Sequence, residues 1–373
     1  MPNHYAKFNS TSLIVQMKIL IIQQKMIGDV LTTSSLFELI KEQYPSAILH
    51  YVVNKHTIEV IAHNPYIDAV KMVTQEMETS WFKTINFSKK LRPENYDVVV
   101  DVYGLYSSNL ISLFCGAKRK IARKKWYTRF IYTDLITELK KPRTTAGLAI
   151  ENRLRYIAPL KFKLKTIAPK IYLTKNEKCQ AKSFLESHAI NLKAPLYMIG
   201  VLGSDGTKTY PFSFMAKVLD TIIKIQPNAQ LLFNYIPKQL EDAKAIYNLC
   251  NTETQKHIYL DVFGKSLRDF MSITHFCNAL IGNEGGAINM AKALNIKTFT
   301  IFSPWIRKEV WSLFEDHLNH VSVHLKDYKP NLFNNKSTKD LKATHLELYN
   351  AFEPLLFENQ ITQFLNNSFS RSS

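Results

Sequence analysis

Short runs of aliphatic and β-branched residues return along this chain, and between them lie stretches with helical spacing. This alternation constrains the fold more than any other feature. The run "KILII" (Lys18 to Ile22) precedes a helical pattern from Val30 to Gln43, which ends at Tyr44-Pro45. "AILHYVV" follows, then a short helix in "TIEVIAH", stopped by Asn64-Pro65. "AVKMV" and "YDVVVDV" predict two further strands, and "SSNLISLFCG" a helix closed by Gly116. Strands that are apolar on both faces, with helices between them, predict a parallel sheet covered on both sides.

The rhythm breaks from about residue 140 to 168, a basic stretch with Pro142 and Pro159, and then restarts. "LYMIGVLG", "AQLLFNY", "HIYLDVF", "NALIGN" and "TFTIF" predict strands, with helices over Phe212 to Ile225 and Lys238 to Cys250. The expected fold class is therefore α/β, with two consecutive doubly wound domains. Residues 17–165 are assigned to the first and 166–340 to the second. Residues 1–16 are expected to form a disordered extension, with Met17 as a candidate start. Residues 341–373 are expected to be a helical segment packing back toward the first domain.

Composition narrows the function. The 373 residues carry 46% hydrophobic and 21% charged side chains, which suits a globular chain with a sizeable core. No apolar run approaches the roughly 20 residues that cross a bilayer. Cys115, Cys179, Cys250 and Cys277 are scattered without a CxxC pair, which argues against a zinc ribbon or a disulfide scaffold and fits a cytoplasmic setting. The formal charge of +17 favours polyanionic or phosphorylated partners. Much of it lies in "KRKIARKKWYTR", Lys118 to Arg129, a stretch without an acid. That run is either a solvated face or a site for an anionic acceptor. A nucleic-acid reader would need basic residues interleaved with aromatics on one face or a reading motif. Only this run comes near, so no nucleic-acid partner is expected. His317, His320 and His324 stand close in sequence, but "VSVHL" is strand-like and would splay them, so no metal site is expected.

In open α/β sheets ligands bind beyond the carboxyl ends of the strands, so three loops matter most. In "QKMIGD", Asp29 follows the single glycine of a strand-to-helix turn. It is either an N-cap or a carboxylate aimed into the cleft as a general base on a sugar hydroxyl. One glycine is too few for a dinucleotide fingerprint. In "GSDGTKTYP", Ser204, Gly206 and Thr207 offer small donors and Lys208 a cation ahead of a helix, which makes a phosphate cradle without Walker A spacing. The plain alternative is a solvated turn. In "IGNEGGAINMAKAL", Glu284 could accept hydroxyls, and Gly285 and Gly286 would let a ligand approach the backbone. Cationic loops facing carboxylates suit a nucleotide-sugar.

With these motifs in order, the chain resembles glycosyltransferase family 9, the ADP-heptose:lipopolysaccharide heptosyltransferases, from about Met17 to Ile301. "KILIIQQKMIGDVLTTSSLFELIKEQYPSAILHYVV" is similar to the family opening, whose proposed catalytic base falls on Asp29. "NPYIDAV" and "YDVVVDVYG" also resemble family segments. "GSDGTKTYP" is similar to the loop that holds the donor phosphates, which places that role on Ser204, Thr207 and Lys208. "GKSLRDF" resembles a segment on the adenine side, near Lys265. "GNEGGAINMAKAL" resembles the signature N-D-[ST]-G-x-x-H-x-A-x-A-L, with three departures: Glu284 for its Asp, Gly285 for its Ser/Thr and Asn289 for its His. The Trp that usually follows the phosphate-loop Lys is also missing, with Tyr210 nearest.

The resemblance implies a GT-B fold of two facing Rossmann-like domains, with acceptor on the first and nucleotide-sugar on the second. It implies inverting, metal-independent transfer of a heptose, without a cofactor, from ADP-heptose to a lipopolysaccharide core or related glycan. Lys118, Arg119, Arg123 and Lys124 would then meet the anionic, lipid-linked acceptor, with the protein cytoplasmic and peripheral on the inner membrane. Glu284, Gly285, Gly286 and Asn289 would line the donor, and their departures leave open a different nucleotide-sugar, a sugar-nucleotide epimerase or a non-catalytic binder.

Overall fold

The computed structural model describes residues 16–368. Almost all of the expected N-terminal extension, and the end of the Ser-rich tail, lie outside the described residues.

Two six-stranded parallel sheets form, one per half. The first contains β1 (Lys18–Ile22), β2 (Ile48–Asn54), β3 (Ala69–Val73), β4 (Val98–Asp101), β5 (Arg119–Arg123) and β6 (Asp134–Ile136), in the order β3-β2-β1-β4-β5-β6. The second contains β7 (Leu196–Gly200), β8 (Gln230–Phe233), β9 (Ile258–Tyr259), β10 (Ala279–Asn283), β11 (Lys297–Ile301) and β12 (His320–Val323), in the order β12-β11-β10-β7-β8-β9. Both are doubly wound. The strand order reverses between β1 and β4 in one sheet and between β7 and β10 in the other, and those reversals open the crevices where ligands sit.

The central strands are apolar on both faces because helices cover both. Ile19 to Ile22 and Val98 to Val100 are buried throughout. The helix Phe212–Ile225 shows the matching pattern, burying Met215, Val218, Leu219 and Ile222 at helical spacing, with Pro211 as its N-cap. At the reversal of the second sheet, Gly200 pairs with Gly282. Gly282 adopts φ +142, and a side chain there would run into the Gly200 carbonyl, so only glycine lets the strands meet. The halves are packed on each other: one buried cluster runs from Ile19 and Val30 through Ile171 and Leu185 to Ile288 and Met290.

Two elements that the sequence pattern leaves unassigned appear, and one expectation is corrected. The basic run contains a strand, β5, whose inner residues Ile121 and Ala122 are buried while its ends are charged. The stretch from about 140 to 168, where the rhythm breaks, contains the helix Leu148–Ile157. The C-terminal helix Glu358–Ser368 does not reach back to the first half. Its Ile361, Phe364 and Leu365 join the second core, with Phe364 and Phe299 rings 5.5 Å apart. Gln226 Nε2 donates to the Leu365 carbonyl at 2.7 Å, and Tyr197 and Ser368 hydroxyls meet at 2.7 Å. The physical reason is apolar: burying those three side chains is worth roughly 6 kcal/mol, and the matching uncovered surface lies on the second sheet.

Candidate active site

The carboxyl ends of β1, β7 and β10 deliver the three loops picked out in the sequence. After β1, Asp29 is the third residue of the helix Ile27–Thr33, whose N-cap is Met26. Asp29 therefore does not cap its helix. Its Oδ1 instead accepts a hydrogen bond from Arg153 Nη2 at 2.6 Å. Arg153 is only 7% exposed and also donates to Thr33 Oγ1 (2.8 Å) and the Ala149 carbonyl (2.9 Å). Asp29 lines two adjoining cavities. One, of about 590 Å³, also touches Arg123, Lys124, Lys140 and Arg307; the other, of about 430 Å³, touches Lys25, Tyr103 and Tyr156.

After β7, Gly203 opens the Ser204–Lys208 loop, where a side chain would collide with the Lys208 backbone. Asp205 organises this loop. Its carboxylate accepts from Thr207 N (2.9 Å), Thr207 Oγ1 (2.7 Å) and Ser204 Oγ (3.2 Å), and these bonds, led by the Thr207 hydroxyl, hold its pKa below the usual range. The Ser204 and Thr207 hydroxyls are thus engaged, and must turn away from Asp205 to serve a phosphate. Lys208 Nζ stands 3.3 Å from Glu284 Oε1 and 5.6 Å from the Trp305 ring centre. Burial pushes the Glu284 carboxyl up, and Lys208 draws it partly back.

After β10, Gly285 adopts φ +152 with open space where a side chain would be. Gly286 then starts the helix Gly286–Ala293. Buried Asn283 ties the loops after β7 and β10: its Nδ2 donates to the Gly200 (2.9 Å) and Val201 (3.1 Å) carbonyls, and its Oδ1 accepts from Tyr210 N (2.7 Å). Across the cleft the loops of the two halves touch. A Cβ on Gly28 would lie 3.0 Å from Asn289 Nδ2, and one on Gly286 would lie 3.7 Å from Ile27 Cγ2. The Asp29 turn and the Glu284 loop therefore belong to one site.

The family model for glycosyltransferase family 9 (heptosyltransferase) matches residues 84–341. The chain belongs to glycosyltransferase family 9. Among curated relatives, lipopolysaccharide heptosyltransferase 1 of Campylobacter coli is 23% identical over 307 residues, covering 77% of this chain and 84% of that protein. Lipooligosaccharide heptosyltransferase 2 of Haemophilus ducreyi is 23% identical, covering 75% and 80%. Among solved structures, a family 9 glycosyltransferase from Veillonella parvula superposes with a TM-score of 0.72 at 17% identity, covering 92% of this chain and 98% of that one. The ADP-heptose lps heptosyltransferase II of E. coli superposes with a TM-score of 0.65 at 17% identity, covering 90% and 99%. The fold is GT-B, and the protein is a glycosyltransferase.

Within this family 9 chain the remaining expected site residues divide. Arg123 and Lys124, at the carboxyl end of β5, line the cavity beside Asp29, with Arg123 paired to Glu138 at 3.0 Å. Lys118 and Arg119 do not join them. They lie at the opposite end of β5, roughly 13 Å away along the strand. Arg119 is spent on Asp134 (2.7 and 2.9 Å) and the Pro159 carbonyl (3.0 Å), while Lys118 is exposed. A strand running through the basic segment separates what the sequence placed together. Lys265 lines a separate cavity of about 270 Å³ with Phe184, Phe263 and Asp269.

Tyr210 is no substitute for the family Trp: it is fully buried, its hydroxyl donating to the Phe352 carbonyl. Trp305 stands over Lys208 and donates from Nε1 to the Thr207 carbonyl at 2.9 Å. The three histidines do not gather. His320 bonds to Thr298 (3.1 Å), His324 accepts from Lys326 N (3.0 Å), and His317 faces Glu315 (3.7 Å). Among the described residues, no group of three His, Cys, Asp or Glu is placed to hold a metal ion, and no helix is long and apolar enough to cross a membrane. The sequence reading missed Arg153, Trp305, Asn283 and Trp311, the last of which lines the 590 Å³ cavity beside Asp29. Arg153 carried a usable signal, since Ile150, Leu154 and Ile157 recur at helical spacing.

Proposed function

We propose that this chain transfers a heptose from ADP-heptose to a lipopolysaccharide core or a related surface glycan, with inversion and without a metal. One observation carries the reading: the contact of Gly28 with Asn289, which sets the Asp29 turn against the donor-side loops. The named relatives are heptosyltransferases of lipopolysaccharide and lipooligosaccharide, and one similar solved structure is E. coli heptosyltransferase WaaC with ADP.

In this mechanism Asp29 takes the proton of an acceptor hydroxyl. The hydroxyl oxygen attacks the anomeric carbon from the side opposite the diphosphate, and the C–O bond to the diphosphate breaks. Lys208 and the Ser204–Thr207 loop receive the negative charge that leaves with it. Glu284 and the open backbone at Gly285 and Gly286 face the donor sugar. Arg123 and Lys124 meet anionic groups of the acceptor, beside the 590 Å³ cavity.

The acceptor is lipid-linked, and the protein works at the inner face of the cytoplasmic membrane. The loop after β5 supports this, with Trp126 85% and Phe130 77% exposed among Lys124, Lys125 and Arg129. Aromatic side chains beside cations suit the interface of an anionic bilayer.

Calorimetric titration with ADP, UDP, GDP and CMP and their sugars tests the donor. The reading expects ADP and ADP-heptose to bind well above the others. The second reading, a different nucleotide-sugar, rests on the buried Glu284 and on Asn289 in place of the signature Asp and His. Preference for UDP or GDP would select it and overturn the first.

A further inference from the structure

We infer that Trp311 is a positioning residue that holds Arg153, and through it Asp29, from the opposite half of the protein, an inference that rests on the reading of Asp29 as the base. The guanidinium of Arg153 is fixed along its edge. Nε goes to Thr33, Nη1 to the Ala149 carbonyl and Nη2 to Asp29 Oδ1 at 2.6 Å. Those bonds set the plane of the group, which is rigid. Its face is covered from the other half of the protein: the Trp311 ring centre lies 6.0 Å from the guanidinium carbon. Arg153 sits on the Leu148–Ile157 helix of the first half, and Trp311 ends the short helix Lys308–Trp311 of the second.

Two further contacts hold the Trp311 segment, one to the Arg153 helix and one to the donor side. Gly147, at the start of the Arg153 helix, is so close to the Trp311 segment that a Cβ there would lie 3.0 Å from Leu313 Cδ2. Lys292 donates to the Leu313 carbonyl at 2.6 Å, and Lys292 belongs to the helix that begins at Gly286. The helix that starts at the donor loop is therefore joined, through Leu313, to the segment whose indole covers Arg153. The indole thus holds the guanidinium plane from the side opposite its hydrogen-bonded edge. With Oδ1 held by Arg153, Asp29 presents Oδ2, which takes no hydrogen bond among the described residues, to the acceptor hydroxyl. The proton moves to Oδ2 while Arg153 stays on Oδ1.

The test is steady-state transfer from ADP-heptose to heptose-deficient lipopolysaccharide by the full chain and by Trp311→Leu, Trp311→Phe and Arg153→Lys, each checked for folding by its melting temperature. Trp311→Leu is expected to lower kcat roughly tenfold with donor KM within about twofold, as loss of a partly desolvated cation–π contact implies. Trp311→Phe, which restores an aromatic face, is expected to keep most of the rate. In the Arg153→Lys chain, Trp311→Leu is expected to cost no more than about a further twofold, because the two act as one unit. Full multiplication of the two effects, or a raised KM with unchanged kcat in Trp311→Leu, would overturn the inference. If Arg153→Lys does not fold, the contrast between Trp311→Leu and Trp311→Phe decides alone. Wild-type transfer by Asp29→Asn would instead sink the base reading, so the two failures are distinguishable.

Discussion

Replacing Lys208 with Met removes the cation that pairs with the buried Glu284 carboxylate beside the Ser204–Thr207 loop. At 3.3 Å the pair attracts by about 5 kcal/mol at an effective dielectric near 20, before desolvation offsets most of it. A diphosphate that takes over Lys208 gains only the surplus over this existing partner. A charge-assisted contact worth about 1.5–3 kcal/mol therefore contributes toward the low end of that range. The expected outcome is ADP binding weakened roughly 10- to 30-fold, measured by calorimetry at fixed salt and pH 7. Glu284→Gln added to Lys208→Met should recover part of the loss by removing the anion left without its cation.

Stability carries the same signature. The folded-state pKa of Glu284 is raised, chiefly by burial and against the pull of Lys208. Its contribution to stability is present below its unfolded value and is lost as pH rises through the folded value. Lys208→Met raises that folded value further, so its melting temperature should fall increasingly below wild type as pH climbs from 4 to 8. An ADP affinity within twofold of wild type, in a variant that melts normally, would refute the assignment of Lys208 to the diphosphate.

Three other outcomes follow from the geometry. Gly28→Ala, whose Cβ would lie 3.0 Å from Asn289 Nδ2, should slow transfer by about fivefold without unfolding the chain, and Asn289→Ala in the same chain should restore part of the rate; transfer assays and melting curves check both. Arg268 holds the Glu177 carboxyl down to about 2 from an ordinary 4.5, and also donates to Glu59 of the first half at 3.0 and 3.1 Å. That stability is present above pH 4.5 and lost as pH falls toward 2, so denaturant titrations should show Glu177→Gln costing about 1–2 kcal/mol at pH 7, allowing for partial exposure, and progressively less below pH 4. The double change Trp126→Ser/Phe130→Ser should release the protein from anionic vesicles in sedimentation, with ADP affinity unchanged; undiminished sedimentation would remove that loop from the membrane.

The alternation of apolar runs made most of the fold legible, because a buried parallel strand needs apolar residues on both faces. β1, β7 and β10, and with them the three site loops, follow from that rule. β5 escaped it: only Ile121 and Ala122 face the core, and the charged ends concealed the strand. That concealment is why Lys118 and Arg119 were grouped with Arg123 and Lys124. The helix Leu148–Ile157 was hidden by the basic, Pro-containing stretch around it. The Arg153–Asp29 pair joins residues 124 positions apart, and Trp311 reaches Arg153 from the other half of the chain. Spacing along a chain does not encode such contacts. The role of Asp29 was ambiguous between cap and base in sequence. The N-cap at Met26 removes the first of these.

The most direct test is to incubate the protein with ADP-heptose and heptose-deficient lipopolysaccharide, and to follow ADP release and the mass of the product. Wild type should release ADP and add one heptose with inverted anomeric configuration, while Asp29→Asn should bind ADP normally and transfer nothing measurable. No product from the wild type, or product from Asp29→Asn at the wild-type rate, would contradict the account.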